Sequence, residues 1–320
     1  MNAIVYKSTG NWYQVKDEAG KTYSARLLGK FKIDGLTSTN PIAVGDHVTI
    51  DSDTERRDND SEISFTITEI KKRKNYITRT SPANKYMHHI IAANLDQSLL
   101  FATLKDPKTS QGFIDRFLIT SEAYHIPSII VFNKSDLYRK KEEEKFAAVK
   151  AIYEAIGYRV LSMSIETGDG VEEVKALLKD KVTLLSGHSG VGKSTFINVV
   201  FPNLKLKTQG VSDWSGKGLH TTTFAEMFDL PAGQVGIPGG GKIIDTPGIR
   251  ELGLVDISKE ELSHYFPEMR ALINDCKFNN CMHLNEPGCA VKSAVGEGGI
   301  HMDRYISYCN ILETINEKTY

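Results

Sequence analysis

Eight consecutive residues have the types and spacing of a phosphate-binding loop. They match the pattern G-x-x-x-x-G-K-[ST] and are Gly187, His188, Ser189, Gly190, Val191, Gly192, Lys193 and Ser194. Glycines let backbone N–H groups curl around phosphate oxygens, the Lys193 ammonium can reach the terminal phosphates, and the Ser194 hydroxyl can bind Mg²⁺. The loop lies between an apolar strand pattern and a helical pattern, and a helix N-terminus favours anions. The sequence therefore predicts a nucleoside triphosphate site with magnesium, in which His188 is a passive loop position.

A second motif predicts which base is bound. Asn133, Lys134, Ser135 and Asp136 form N-K-x-D after the apolar pattern at 128–132. The Asp136 carboxylate can accept hydrogen bonds from the N1 and N2 donors of guanine, while Asn133 and the Lys134 stem fix the base and the loop. Adenine would leave buried groups unpaired, and such mismatches cost discrimination of roughly 10⁴ or more. Together with the phosphate loop, this motif predicts GTP rather than ATP.

Ser164 belongs to a third and less specific candidate segment. Residues 163–168 follow another strand pattern, so a backbone group near Ser164 could contact the guanine oxygen. A simple turn before the helix that begins near Val171 explains the same residues nearly as well.

The segment after the phosphate loop carries candidate groups for magnesium and the γ-phosphate. Asp245 and Gly248 form D-x-x-G at the end of a short apolar pattern, and a glycine amide there can bond the γ-phosphate only while that phosphate is present. Residues 216–223 are rich in glycine and polar side chains, as in a mobile switch. Thr222 and Thr223 are the pair from which we expect a further magnesium ligand.

His220, in the same stretch, is the candidate for positioning the attacking water. Ile249 occupies the place where many GTPases carry a water-orienting glutamine, so another polar group has to take that role. An imidazole could orient the water or accept its proton, and Lys193 is expected to assist catalysis at the phosphates. The alternative is that His220 contacts RNA or only lies on a mobile surface.

A cluster near the end of the chain has the composition of a metal site. Cys276, Cys281, His283 and Cys289 supply three thiolates and one imidazole, which is a closed tetrahedral zinc shell. Clustered cysteines in a reducing compartment favour metal over disulfides. Four protein ligands leave no open position, so we predict one structural zinc ion. Cys309 lies in a helical pattern and is expected to be a small core residue.

The elements that would carry these motifs fall into three predicted domains. Residues 1–80 show about five short strand patterns, at 3–6, 12–15, 22–28, 44–50 and 63–67, which predict an OB-fold barrel that binds RNA or serves only as a scaffold. A basic run at 71–74 could follow a phosphate backbone or be an ordinary solvated segment.

Residues 81–252 alternate between apolar strand patterns and helical patterns. The strands are predicted at 98–103, 128–132, 158–162 and 182–186, and the helices at 116–123, 142–156 and 171–178. This alternation predicts a doubly wound α/β domain with a parallel sheet. The base motif precedes the phosphate loop, whereas common GTPases have the reverse order, so the domain is predicted to be circularly permuted. Residues 253–320 are predicted to form a helical zinc-binding domain.

Bulk properties fit a cytoplasmic globular protein. The chain has 320 residues, and its 40% hydrophobic and 25% charged residues exclude a disordered or fibrous class. A net charge of −1 gives no global attraction to polyanions, so any RNA contact would be local. The N-terminal residues lack the pattern of a secretory signal, and no apolar run approaches a membrane span, so we predict a cytoplasmic protein without membrane contact.

With these motifs in hand, the chain resembles the RsgA (YjeQ) family of ribosome-small-subunit-dependent GTPases over essentially its whole length. The permuted order together with the spacing C-x₄-C-x-H-x₅-C carries the resemblance. The family implies late maturation of the small ribosomal subunit, GTP hydrolysis stimulated by that subunit, and coupled release of assembly factors. Matching positions imply that residues 187–195, including Thr195, hold phosphates. Expected partners are the subunit with its rRNA, GTP and GDP, and assembly factors; the protein is expected to be a monomer.

Three other functions compete with this one. A permuted GTPase that acts on the large subunit would share the motif order. A non-hydrolysing RNA-binding module would use GTP only as a ligand. A metal-dependent ATPase is disfavoured by Asp136, because its carboxylate matches guanine donors.

Overall fold

A computed structural model describes residues 1–10, 12–27, 41–52, 65–80, 88–204, 225–233, 240–246 and 257–315. These residues contain thirteen named strands and seven α-helices. The strands are β1 (Asn2–Ser8), β2 (Tyr13–Asp17), β3 (Thr22–Leu27), β4 (His47–Ser52), β5 (Phe65–Ile70), β6 (Tyr76–Thr80), β7 (His88–Ala93), β8 (Gln97–Ala102), β9 (Ser128–Phe132), β10 (Arg159–Ser162), β11 (Val182–Ser186), β12 (Glu226–Leu230) and β13 (Gly241–Asp245). The helices are α1 (Gln111–Ala123), α2 (Lys140–Glu154), α3 (Val171–Ala176), α4 (Lys193–Val200), α5 (Pro267–Arg270), α6 (Ala290–Gly296) and α7 (Met302–Thr314).

Strands β1–β5 form a closed barrel, as the sequence predicts. Their order is β1-β2-β3-β5-β4, and β4 pairs back with β1. The β3–β5 pair is parallel and the others are antiparallel. Alternate residues point inward because strand side chains have a period of two. Val5, Val15, Ile50 and Ile67 are fully buried in the barrel core. This five-stranded arrangement is OB-like.

A hairpin of β6 and β7 follows the barrel and was not predicted from the sequence. Its strands pair antiparallel, from Tyr76 opposite Ala93 to Thr80 opposite His88. Just before it, Arg73 makes a bidentate pair with the fully buried carboxylate of Asp46, at 2.6 and 2.7 Å. Arg73 therefore stabilises the barrel, and its side chain fits neither of the two roles predicted for the basic run, phosphate contact or simple solvation.

Residues 88–246, here called the α/β region, contain a six-stranded sheet in the order β10-β9-β8-β11-β13-β12. All pairs are parallel except β12–β13. The central strand β8 is buried along its whole length, with Leu100 facing the core under α1 and α2 and Phe101 facing the core under α3 and α4. Helices therefore cover both faces, which confirms the predicted doubly wound fold.

The sheet of the α/β region continues into the barrel. Strand β12 pairs with β1 at Glu226 opposite Lys7, so eleven strands form one sheet. Beside this junction, Asp229 accepts hydrogen bonds from Tyr6 Oη at 2.5 Å, from Lys242 Nζ at 2.8 Å and from Lys16 Nζ. Both backbone pairing and side-chain charges thus join the barrel to β12 and β13.

Residues 257–315, here called the C-terminal region, pack against α1. Their core includes Phe266 and Tyr308 together with Ile119 of α1. Helix α1 begins at Gln111, five residues before its predicted start, because the Ser110 side chain caps the Phe113 N–H at 3.2 Å. In the described part of the chain, no helix is long and apolar enough to cross a membrane.

Candidate nucleotide and metal sites

The phosphate loop connects β11 to α4, at the carboxyl edge of the parallel sheet where such folds bind ligands. Two of its glycines are required by close approaches. A Cβ at Gly187 (φ +136°) would lie 2.3 Å from the Phe101 carbonyl oxygen, and one at Gly192 (φ +99°) would lie 2.3 Å from Asn133 Nδ2. The loop is therefore pressed against both β8 and the base motif, and any side chain at these positions would displace it.

Lys193 lies at the start of α4 with its ammonium turned back over the loop. Its Nζ donates to the carbonyl oxygens of Gly187 and His188 at 2.7 and 2.9 Å. Burial lowers the pKa of Lys193, and the nearby Asp245 carboxylate opposes that shift. The ammonium and the N-terminus of α4 together supply positive potential where the terminal phosphates of a nucleotide would bind.

Asp245, at the end of β13, supplies the carboxylate expected near magnesium. Burial raises the pKa of Asp245, and the charge of Lys193 opposes the shift. A buried carboxylate of this kind is stabilised as an anion by a neighbouring cation. The Ser194 hydroxyl and this carboxylate are oxygen ligands of the type that magnesium prefers, so the residues present fit the ion.

The base motif is bonded directly to the phosphate loop. Asn133 is buried, and its Nδ2 donates to the Val191 carbonyl oxygen at 2.8 Å. Within the described residues, its Oδ1 has no hydrogen-bond partner although it is buried. Lys134 adopts the left-handed conformation (φ 65°), and its ammonium donates to the Asp106 carbonyl oxygen. The first two residues of the motif thus hold the loops together and leave one acceptor available.

Asp136 is oriented by Ser164 from the following strand connection. The Ser164 hydroxyl donates to Asp136 Oδ1 at 2.6 Å and accepts from the Thr167 N–H at 3.1 Å. The Ser135 N–H donates to the Met163 carbonyl oxygen at 3.1 Å, which fixes the two turns side by side. The structure therefore brings Ser164 to the base motif through its side chain, a contact that the sequence pattern did not suggest.

His188 makes a contact that sequence reasoning missed. Its ring stacks on Phe113 of α1 with centroids 3.7 Å apart and planes 30° from parallel. Burial lowers the pKa of His188, and the Lys193 charge adds to the shift.

Thr195 lies exposed in the first turn of α4. Four other predicted site residues lie outside the described parts of the chain: His220, Thr222, Thr223 and Gly248.

The cysteine cluster assembles as the spacing predicts. The ligand atoms of Cys276, Cys281, His283 and Cys289 all lie within 4.8 Å of one another. An ion that binds sulfur at ~2.3 Å in a tetrahedron would separate its ligands by about 3.8 Å, which is close to this spread. Burial raises the pKa of the Cys281 thiol to about 12, and a bound cation would favour the thiolate form of this residue. The group could hold a metal ion.

Two tyrosines of α7 bond the backbone of the loop that carries the cysteine cluster. Tyr305 donates to the His283 carbonyl oxygen at 2.6 Å, and Tyr308 donates to that of Met282 at 2.9 Å. The Glu286 carboxylate accepts hydrogen bonds from three backbone N–H groups of the same loop, those of Met282 and Leu284 at 2.9 Å and that of Asn285 at 3.0 Å. Cys309 lies on α7, half-buried and outside the cluster. The ligand loop is therefore shaped by α7 and by its own carboxylate.

Comparison with family models gives two matches. The model described as RsgA GTPase matches residues 70–255, and the model described as RsgA N-terminal domain matches residues 3–58. The first alone spans more than half of the chain.

Full-length relatives and solved structures agree with those matches. A Flavobacterium psychrophilum protein is 50% identical over 99% of this chain and 94% of its own, and a Cytophaga hutchinsonii protein is 52% identical over 98% of each; both are named small ribosomal subunit biogenesis GTPase RsgA. The crystal structure of YjeQ from Thermotoga maritima is 34% identical, with a TM-score of 0.74 over 98% of this chain and 97% of that one. YloQ, described as a circularly permuted GTPase, is 30% identical, with a TM-score of 0.69 over 98% and 93%.

Proposed function

This chain belongs to the RsgA family of GTPases, and from that premise we propose that it binds the small ribosomal subunit and assists late maturation of that subunit. It is a circularly permuted GTP hydrolase. In the proposed cycle, the subunit stimulates GTP hydrolysis, and hydrolysis is coupled to the release of assembly factors. The observation that carries the nucleotide assignment is the direct bond between the base motif and the phosphate loop, Asn133 to Val191.

Guanine specificity is assigned to Asp136. Its Oδ1 is held by Ser164, so the carboxylate is pre-oriented and its remaining acceptor capacity can face the N1 and N2 donors of guanine. Asn133 Oδ1, which is buried and lacks a partner among the described residues, is a second acceptor that a bound base could satisfy.

Phosphate binding and hydrolysis are assigned to the loop, Lys193 and the switch residues. Lys193 would exchange its two carbonyl contacts for phosphate oxygens and stabilise charge on the transferred phosphate. Ser194 and Asp245 would hold magnesium with Thr222 or Thr223, and the bound ion would neutralise phosphate charge. Gly248 would contact the γ-phosphate, and His220 would position the attacking water.

We assign the Cys₃His cluster to one structural zinc ion, because its four protein ligands complete a tetrahedron. The barrel is proposed to contact rRNA and the protein to act as a cytoplasmic monomer. The division into residues 1–80, 81–252 and 253–320 remains our proposal for the three domains.

Base specificity can be tested with Asp136→Asn. The substitution replaces an acceptor by a donor, so GTP affinity should fall by roughly 10- to 100-fold while xanthosine triphosphate binding improves. Calorimetry with both nucleotides measures the change. The matched control is Asp169→Asn, because among the described residues the exposed carboxylate of Asp169 contacts only Thr167, two residues away. This substitution should leave GTP affinity unchanged. Unaltered GTP affinity in the Asp136 variant would remove this residue from the base site.

The ribosomal role can be tested by GTP turnover with purified subunits. Turnover by the protein alone should be slow, and small subunits should accelerate it, because a polar group in place of the usual glutamine must be ordered. His220→Ala should then lose roughly 10²- to 10⁴-fold of the stimulated rate while GTP affinity and subunit binding persist. Stimulation by large subunits only would favour the competing permuted GTPase, and loss of subunit binding would make His220 a docking residue.

A further inference from the structure

Helix α1 contacts the phosphate loop with its first turn. The Phe113 ring stacks on the His188 ring at 3.7 Å. The loop before the helix lies close to the same site, since a Cβ added at Gly190 would lie 3.5 Å from Pro107 Cδ. Lys134 of the base motif donates to the Asp106 carbonyl oxygen in that loop. One short segment therefore contacts both halves of the nucleotide site.

The segment before α1 is closed by its own hydrogen bonds. The Thr109 N–H donates to the Thr103 carbonyl oxygen at 2.8 Å, and the Thr103 N–H donates to Thr109 Oγ1 at 3.0 Å. Ser110 then caps the helix. Because the loop is bonded at both ends and continues directly into the helix, a displacement of α1 would carry the loop with it.

The rest of α1 is the platform for the C-terminal region. Asp115 pairs with Arg304 of α7, and both side chains are fully buried. Near the helix end, Glu122 pairs with Arg270 at 2.9 Å. Ile119, between these two pairs, lies in the core of the C-terminal region. The same helix thus presents one end to the phosphate loop and its remaining length to the region that holds the metal cluster.

We propose that Phe113 is a positioning residue for the phosphate loop, and that α1 makes the conformation of this loop depend on docking of the C-terminal region. The loop contains three glycines in the left-handed range, Gly187, Gly190 and Gly192, so its shape is set by outside contacts rather than by its own backbone preference. Phe113 on His188 is such a contact, and it is attached to the docking helix. The proposal rests on the proposed function only in taking guanine nucleotides as the ligand.

The direct test is the NMR signal of the His188 Cε1–H group in ¹³C-histidine-labelled full-length protein, assigned with His188→Gln. Phe113→Ala should move this signal and weaken GDP binding by about 3- to 10-fold, because a stacked aromatic pair contributes on that scale. Phe113→Tyr keeps the stack and should restore both values. If Phe113→Ala leaves the His188 signal and GDP affinity unchanged, the positioning role is wrong.

Coupling to the C-terminal region is tested with substitutions far from His188, and the His188 NMR signal is again the readout. Arg304→Met should shift or broaden the His188 signal and accelerate GDP release. Because that variant removes a buried ion, the double variant Arg116→Ala and Arg270→Ala serves as the milder disruption; it loses exposed contacts to Thr314, to Glu122 and to the His264 carbonyl oxygen. Lys150→Ala, which breaks an exposed pair on α2, is the control and should change neither quantity.

The outcomes separate this inference from the ribosomal role. Neither the histidine signal nor GDP release requires hydrolysis or ribosomes, so a failure of subunit stimulation leaves this test intact. An unchanged His188 signal and unchanged GDP release in both disrupted variants would overturn the coupling. A changed melting temperature with an unchanged His188 signal would do the same, because α1 would then serve stability alone.

Discussion

The barrel and the C-terminal region are joined to the α/β region by different kinds of contact. The barrel joins it through strand pairing of β1 with β12 and through charges that remain partly in water; the Asp229 side chain is 39% exposed and that of Lys16 is 25% exposed. The C-terminal region joins it through Arg304 and Asp115, whose side chains are 1% and 0% exposed. A single partly exposed ion pair contributes little to the free energy of unfolding. A buried charge that loses its partner lowers that free energy by several kcal/mol, on the order of 3–5.

This difference predicts how substitutions at each junction should change the stability of the protein. At the barrel junction, stability is spread over backbone hydrogen bonds and several charges, so single substitutions should have graded effects. At the C-terminal junction, Arg304 also bonds Glu268 at 2.7 Å, and Tyr153 donates to Asp115 at 2.6 Å. Loss of one member there leaves several buried polar groups without partners, so the effect should be abrupt.

Substitution of a proposed metal ligand should have the largest effect on the stability of the C-terminal region. Cys281→Ser should lower bound zinc well below one ion per chain and unfold the C-terminal region, because structural zinc supplies ~10–16 kcal/mol in small domains. Elemental analysis and protease sensitivity after residue 257 would show both effects; GTP should still bind, with GDP release accelerated because α1 loses the docked C-terminal region. Cys309→Ser, outside the cluster, is the matched control and should retain zinc. Full zinc content in the Cys281 variant would indicate another ligand set.

Arg304→Met is the next largest disruption. It leaves Asp115 and Glu268 as uncompensated buried carboxylates, so the free energy of unfolding should fall by about 3–5 kcal/mol. Urea unfolding monitored by tyrosine fluorescence measures this change. Arg270→Met removes an arginine that is half exposed and pairs with Glu122, so its cost should be at most ~1 kcal/mol. Equal losses from the two substitutions would contradict the distinction between a buried and an exposed contact.

Asp229→Asn should have the smallest effect, and that effect should depend on pH. Burial raises the pKa of Asp229, but hydrogen bonds from Lys16, Lys242 and Tyr6 outweigh it and lower the pKa from 3.8 to about 2. The carboxylate therefore stabilises the fold above pH 3.8, and this contribution is lost as the pH falls toward 2.

Because the group is partly exposed, screening limits the loss at pH 7 to about 1 kcal/mol. Urea midpoints of the wild type and the variant should differ at pH 7 and converge as the pH falls from 3.8 toward 2. A difference that stayed constant over this range would show that the charge of Asp229 does not hold the junction. Asp169→Asn, at an exposed position of a different loop, should show no such convergence.

Local spacing made the nucleotide and metal motifs predictable. The phosphate loop, N-K-x-D and the cysteine cluster each have their functional groups within a short segment, so their chemistry can be inferred before the fold is known. The barrel strands and the doubly wound sheet followed from periodicity for the same reason. The roles of His220, Thr222, Thr223 and Gly248 stay predictions, since these residues lie outside the described ranges.

Contacts between distant segments could not be predicted from those patterns. Arg73 is part of a basic run, and it pairs with the buried Asp46. This pairing could not be predicted, because charge type alone does not reveal a partner far along the chain. The hairpin of β6 and β7 was missed since its strands lack a clear alternation, and a basic run precedes it. The stack of His188 on Phe113 joins segments that only the tertiary fold brings together.

The permuted strand order also has a consequence for synthesis of the chain. Strand β8 is buried along its whole length, but its partner β11 follows only after α1, β9, α2, β10 and α3 have been made. At typical translation rates of about 5–20 residues per second, the edge of β8 that pairs with β11 stays unpaired for several seconds. Strand β1 stays without its partner β12 for longer still. Nascent chains of this protein should therefore expose an aggregation-prone edge that closes only when the strand before the phosphate loop emerges.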